Sequence, residues 1–77
     1  MRCTVLTGSD TKNIADVARI TLPGVNGELS ILEHHAEAFF LLASGTAVIE
    51  KTDKSVERIS VQSGGCHVRE DSVLIVA

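Results

Sequence analysis

Two segments alternate strictly between apolar and polar positions: Ala18-Arg19-Ile20-Thr21-Leu22 and Glu57-Arg58-Ile59-Ser60-Val61-Gln62. A period of two puts one face of a strand on a core and the other in water, so both segments predict half-buried strands. The closing run Val73-Leu74-Ile75-Val76-Ala77 is apolar without a break. That fits either a strand covered on both sides or an end that has lost its natural continuation. Turn chemistry punctuates these runs at short intervals. Pro23-Gly24 predicts the corners of a type II turn, and Asn26-Gly27 a primed hairpin turn, so the chain should reverse between Leu22 and Leu29. Thr52-Asp53-Lys54-Ser55 and Arg69-Glu70-Asp71-Ser72 read as hairpin tips. Gly64-Gly65 reads as a break or bulge where another backbone approaches closely. Short strands at this spacing predict a small sandwich or barrel.

The segment from Glu33 to Ala43 departs from this pattern. Its residues are good helix formers and would fill about three turns. Yet Phe39 to Leu42 are four consecutive apolar residues, which would encircle a surface helix instead of forming one stripe, and they fit a buried strand at least as well. Composition favours strands: nine Val, six Ile and six Thr make 21 of the 77 residues β-branched, the types that suit a pleated surface.

Length and charge narrow the class. Seventy-seven residues allow a single domain, 1–77, because two would each lack a core. With 44% apolar and 22% charged residues the chain is a globule and not a disordered tract. Its seven basic residues, Arg2, Lys12, Arg19, Lys51, Lys54, Arg58 and Arg69, are scattered, and the net charge is −3. That argues against a nucleic-acid surface, which needs clustered positive charge. Only Phe39 and Phe40 are aromatic, too few for base stacking. The longest nearly uncharged stretch, Ala38 to Ile49, is shorter than the roughly 20 residues a bilayer-spanning helix needs. The N-terminal residues carry no recognisable leader, and without a secretory context Cys3 and Cys66 are expected as free thiols.

Candidate chemistry is sparse. His34, His35, His67, Cys3 and Cys66 are the available metal ligands, but no Cys-x-x-Cys or His-x-x-x-His pair exists, and adjacent strand residues point to opposite faces. The same divergence works against a dyad of Cys66 with His67. Ser63-Gly64-Gly65 lacks the Lys-Ser/Thr of a phosphate loop and the frame of a nucleophile elbow. The residues thus predict no catalytic, metal or cofactor site. Glu28, Glu33 and Glu37 fit a solvated rim, and Glu28 with His35 could form a polar contact patch at one end of a sandwich.

The order Leu22-Pro23-Gly24-Val25-Asn26-Gly27-Glu28-Leu29-Ser30-Ile31-Leu32, then His35-Ala36, Gly45 and Ser63-Gly64-Gly65, resembles the N-terminal domain of the epsilon subunit of F-type ATP synthases, from about Val5 to the end. Glu33-His34-His35-Ala36-Glu37 stands where that family has Pro-Gly-His-Ala-Pro. Ser30 stands for a glycine and Ser44 for a proline.

The resemblance implies an all-β fold, a small flattened sandwich of roughly 8–10 short strands, with Ala38 to Ala43 as strand. It implies a non-catalytic central-stalk subunit that links the gamma subunit to the c-ring and couples proton transport to ATP synthesis. Such a subunit would sit peripherally on the cytoplasmic face of a bacterial inner membrane, or an organelle equivalent. Carried over by position, Glu28 and His35 would face the c-ring, with Pro23, Gly24, Gly27, Gly45, Gly64 and Gly65 as structural turn residues. The family's C-terminal helical pair has no counterpart within these 77 residues, so helix-borne inhibition and ATP binding are not expected of them. The alternative is a free-standing β-sandwich interaction module whose glycines and proline recur by chance.

Overall fold

The computed structural model describes residues 1–77, and all of its regular structure is strand: β1 (Arg2–Thr7), β2 (Asp10–Ile14), β3 (Val17–Gly24), β4 (Gly27–Leu32), β5 (Ala38–Leu42), β6 (Gly45–Lys51), β7 (Val56–Val61), β8 (Gly64–Arg69) and β9 (Ser72–Val76). The hydrogen-bonded order is β2-β1-β9-β8-β5-β3-β6-β7, with β4 on the other side of β3. Only β1 and β9 run parallel. The sheet curls into two layers, β2-β1-β9-β8-β5 and β4-β3-β6-β7, which join where Gly24 of β3 meets Leu42 of β5. Curling brings the two ends of the strand order together: Lys12 of β2 forms an ion pair with Glu57 of β7, which Lys51 of β6 also approaches at 3.5 Å. The result is a flattened body of 27 × 25 × 19 Å.

The predicted alternation sets the core. Ile20 lies between Ile31 of β4 and Ile49 of β6, and all three are fully buried. From the other layer come Cys3, Val5, Cys66, Val68, Val73 and Ile75. All 15 buried residues are apolar, so no desolvated charge has to be offset.

Three expectations need correction. The reversal between Leu22 and Leu29 occurs at Val25-Asn26, with Gly24 opposite Gly27, so Pro23 and Gly24 belong to strand β3 and not to a turn. Pro23 is tolerated there because its carbonyl accepts the Ala43 N–H. Its nitrogen therefore faces away from β4, where the ladder needs no donor. The helix suggested for 33–43 is a short turn followed by β5, and His34 at φ 64° breaks any helical path. As a strand, Leu42 and Phe40 turn to the core while Phe39 and Leu41 turn away from it. Finally, of the two alternatives left open for the closing run, the doubly covered strand is the one that fails: β9 lies between β1 and β8 with Val73 and Ile75 buried, whereas Leu74 and Val76 are 37% and 45% exposed.

Candidate interaction site

Glu28 is the second residue of β4, opposite Pro23 in the hairpin, and is exposed. It lines an open groove with Val25, Leu29, Phe39, Phe40 and Leu41. His35 follows the turn at His34. Its Nδ1–H donates to the Ala36 carbonyl at 2.7 Å, and its ring stands edge-on to Phe40 with centroids 6.0 Å apart. Phe40 is thus common ground for the two positions: it shares the groove with Glu28 and touches His35. The arrangement is a pair of polar tips on an aromatic base, suited to contact.

The glycines singled out from the sequence border reversals as strand residues: Gly24 closes β3, and Gly27, Gly45 and Gly64-Gly65 open β4, β6 and β8. Gly64 is the most constrained, because a Cβ there would lie 1.8 Å from the Val76 carbonyl oxygen. Cys3 and Cys66 are free and buried. Burial pushes the Cys3 thiol up to about 12, aided by the neighbouring Cys66 and Glu57, and burial alone pushes Cys66 up to about 11. Such thiols carry almost no thiolate near neutrality and are inert packing groups. No three His, Cys, Asp or Glu side chains gather where they could hold an ion.

A second surface escaped the sequence reading. On the outward side of the β5-β8-β9-β1 layer, pairing aligns Phe39, His67, Leu74 and Thr4 in one row and Leu41, Gly65, Val76 and Leu6 in the next. Phe39 and Leu41 are 77% and 70% exposed. Phe39 stacks flat on His67 with centroids 4.0 Å apart, and the His67 Nε2–H donates to Glu37 at 3.1 Å. Because Gly65 has no side chain, a slot of about 320 Å³ opens between the Phe39–Leu41 ridge and Leu74–Val76. The signal is present in the two unbroken apolar runs, Phe39 to Leu42 and Val73 to Ala77, whose pattern leaves open what covers their second side. The outer side of the β4-β3-β6-β7 layer is mixed by contrast: Arg19 is paired to Glu50 and bonded to Ser30, with exposed Leu32 and Val56 at the two ends of the same row.

Comparison with known proteins places this geometry. Residues 1–77 match the family model described as ATP synthase, Delta/Epsilon chain, beta-sandwich domain. The ATP synthase epsilon chain of Sulfurimonas denitrificans is 33% identical over 76 residues, covering 99% of this chain and 58% of that protein. That of Campylobacter jejuni is 39% identical over 62 residues, covering 80% of this chain and 48% of that protein. The chain therefore spans about half the length of these relatives. Among solved structures, a chain of the Euglena gracilis mitochondrial ATP synthase OSCP/F1/c-ring assembly superposes with TM-score 0.86 at 22% identity, covering 97% of this chain and 48% of its own. A chain of the Tetrahymena thermophila central stalk/c-ring assembly gives 0.82 at 18% identity, covering 97% and 60%. At those identities the two structures speak for the fold, and it is the expected sandwich.

Proposed function

The chain belongs to the ATP synthase delta/epsilon β-sandwich family, and on that premise we propose that it serves as the sandwich of a central-stalk rotor subunit in an F-type ATP synthase. In this reading it ties the gamma subunit to the c-ring and transmits rotation, so that proton flow and ATP synthesis stay coupled while the chain itself performs no chemistry. It works peripherally at the cytoplasmic face of a bacterial inner membrane. The family match across the whole chain, 1–77, carries the reading. A core built only from apolar side chains fits a rigid part that bears torque.

Glu28 and His35 are the contact residues on the ring side, Glu28 as an acceptor and His35 through the edge of its ring that Ala36 leaves free. Exchanging either for the opposite tendency, Glu28→Lys or His35→Glu, should weaken retention in the membrane complex by roughly tenfold, the scale of one lost charge-assisted contact. The unfolding midpoint should stay unchanged, since Glu28 is exposed and His35 lies in a loop. ATP-driven proton pumping in membranes carrying each variant is the assay, and wild-type pumping with wild-type retention in both would refute the assignment.

A further inference from the structure

The segment 33–37 joins β4 to β5 and carries His35, yet no backbone hydrogen bond outside the strands involves any of its residues. Side chains alone hold it to the sheet. At its start Glu33 lies 3.7 Å from the N-terminal amine, in its middle His35 leans on Phe40, and at its end Glu37 accepts from His67 Nε2 at 3.1 Å. Of these three ties, only the last is a hydrogen bond to another element. Its donor is well placed: His67 is half-buried on β8, and Phe39 lies flat against its ring with centroids 4.0 Å apart. Four charged side chains face His67, namely Glu37 from the segment, Arg69 from β8 itself, Arg2 from β1 and Glu70 from the hairpin tip. From β5 and β9 it meets only Phe39, Leu74 and Ser72. Glu37 is the one carboxylate within 4 Å of its ring nitrogens.

We propose that Glu37 and His67 form a proton-operated latch that positions the His35 segment, holding it most tightly while the imidazole is protonated and the carboxylate ionised. The latch rests on the rotor reading for its purpose, because His35 is there the ring-side contact, and it adds the residues that keep His35 in place. Imidazole is the side chain whose charge ordinarily changes between about pH 5 and pH 8. With a proton on both nitrogens, His67 gives Glu37 a charge-assisted bond roughly twice as strong as a neutral one. It also lays a cation against the face of Phe39. Neutral, it still donates from Nε2, so the latch weakens with rising pH without vanishing. A segment ordered in advance spares the partner the entropy of ordering it on contact. Glu37 and His67 are thus positioning residues, raising affinity through His35 and not through contacts of their own.

NMR relaxation of the backbone amides at about pH 5.5 and about pH 7.5 tests the latch, and retention in the membrane complex at the same two values tests its purpose. In the wild type, order parameters across residues 33–37 should be about 0.85 at the lower pH, as in rigid backbone, and fall toward about 0.6 at the higher. Glu37→Gln should be loose at both, although His34 and His35 still titrate in it. His67→Arg should be rigid at both, because a guanidinium keeps its charge and also stacks on an aromatic face. Strand order parameters equal to wild type confirm that each variant is folded. Retention is compared between proteins at a single pH, so that the charges of His34 and His35 cancel. At the lower pH Glu37→Gln should be held about threefold more weakly than wild type, and at the higher pH His67→Arg about threefold more tightly, the scale of one exposed ion pair. A wild-type segment whose order is the same at both values, or a Glu37→Gln segment as ordered as wild type, overturns the latch whatever becomes of the rotor reading. Order that changes as described with retention equal in all three proteins overturns the positioning role and leaves the rotor reading standing. A wild-type protein absent from the membrane complex at both values refutes the rotor reading and, with it, the purpose assigned to the latch.

Discussion

At the scale of single residues, Gly64 and Gly65 show how two neighbours of the same type can do different work. A Cβ on Gly64 would meet the Val76 carbonyl oxygen at 1.8 Å, and that atom belongs to backbone that cannot rotate aside. A Cβ on Gly65 finds its nearest neighbour, the Phe40 carbonyl oxygen, at 3.6 Å, an ordinary contact. Gly64 therefore sets the spacing of the β8-β9 pair, while Gly65 opens the slot on the outer face. Gly64→Ala should cost about 2 kcal/mol or more by forcing the strands apart, lowering the midpoint by roughly 10 °C in a domain of this size. Gly65→Ala should leave the midpoint within about 2 °C of wild type, since it adds a methyl group without a clash. Differential scanning calorimetry of the two variants checks this, and equal losses would contradict it.

Among the elements, the β8-β9 hairpin turns on Glu70 and Asp71, with φ of 46° and 64°. Two left-handed residues in a two-residue loop match the twist of the flanking strands, yet this position favours Asn-Gly over two acidic side chains. Replacing the pair by Glu70→Asn with Asp71→Gly should stabilise the chain by about 1 kcal/mol, roughly 5 °C in the midpoint. The exposed Asp71 carboxylate lost in the exchange stands 3.8 Å from the N-terminal amine of the buried Met1, which keeps Glu33 at 3.7 Å, so the loss is small against the gain in the turn. A midpoint that falls would refute the argument. The hairpin tips at Asp53-Lys54 and Glu70-Asp71 and the strands around Ile20 and Ile59 were legible because polar turn residues and period-two alternation both pointed to them. For strands β5 and β9 the covering of each face was not legible, because each is apolar on both sides and only one side meets the core. A run such as Phe39 to Leu42 looks the same whether its second face is buried in its own chain or left outward. Pro23 misled for a related reason, since tolerance of its missing donor depends on which edge its nitrogen faces, which only pairing determines. The Glu28 and His35 positions came from family resemblance. Nothing in their local pattern separates them from an ordinary loop rim.

For the molecule as a whole, the absence of any buried charged or polar residue predicts a stability that is flat across neutral pH and limited at both ends by particular groups. On the acid side, the hydrogen bond from Lys12 holds the Glu57 carboxyl below its usual range, and the hydroxyl and N–H of Ser55 do the same for Asp53. A depressed folded value means that the stabilisation is present above the unfolded value and is lost as pH falls through the folded one, hence below the ordinary carboxylate range. Glu57 is also the residue through which β7 grips β2, so this loss coincides with release of the clasp between the sheet's two ends. On the alkaline side, Cys3 and Cys66 are raised to about 12 and about 11. The unfolded chain releases their protons first, so stability declines from about pH 9, where unfolded thiols ionise, up through the folded values. Midpoints measured from about pH 3 to about pH 10.5 should therefore form a plateau with two shoulders. Glu57→Gln should flatten the acid shoulder. Cys3→Ala with Cys66→Ala should lower the plateau, through the cavities left in the core, and yet flatten the alkaline shoulder. An alkaline decline that persists unchanged in the double variant would place its origin outside the core and overturn the assignment to the two thiols.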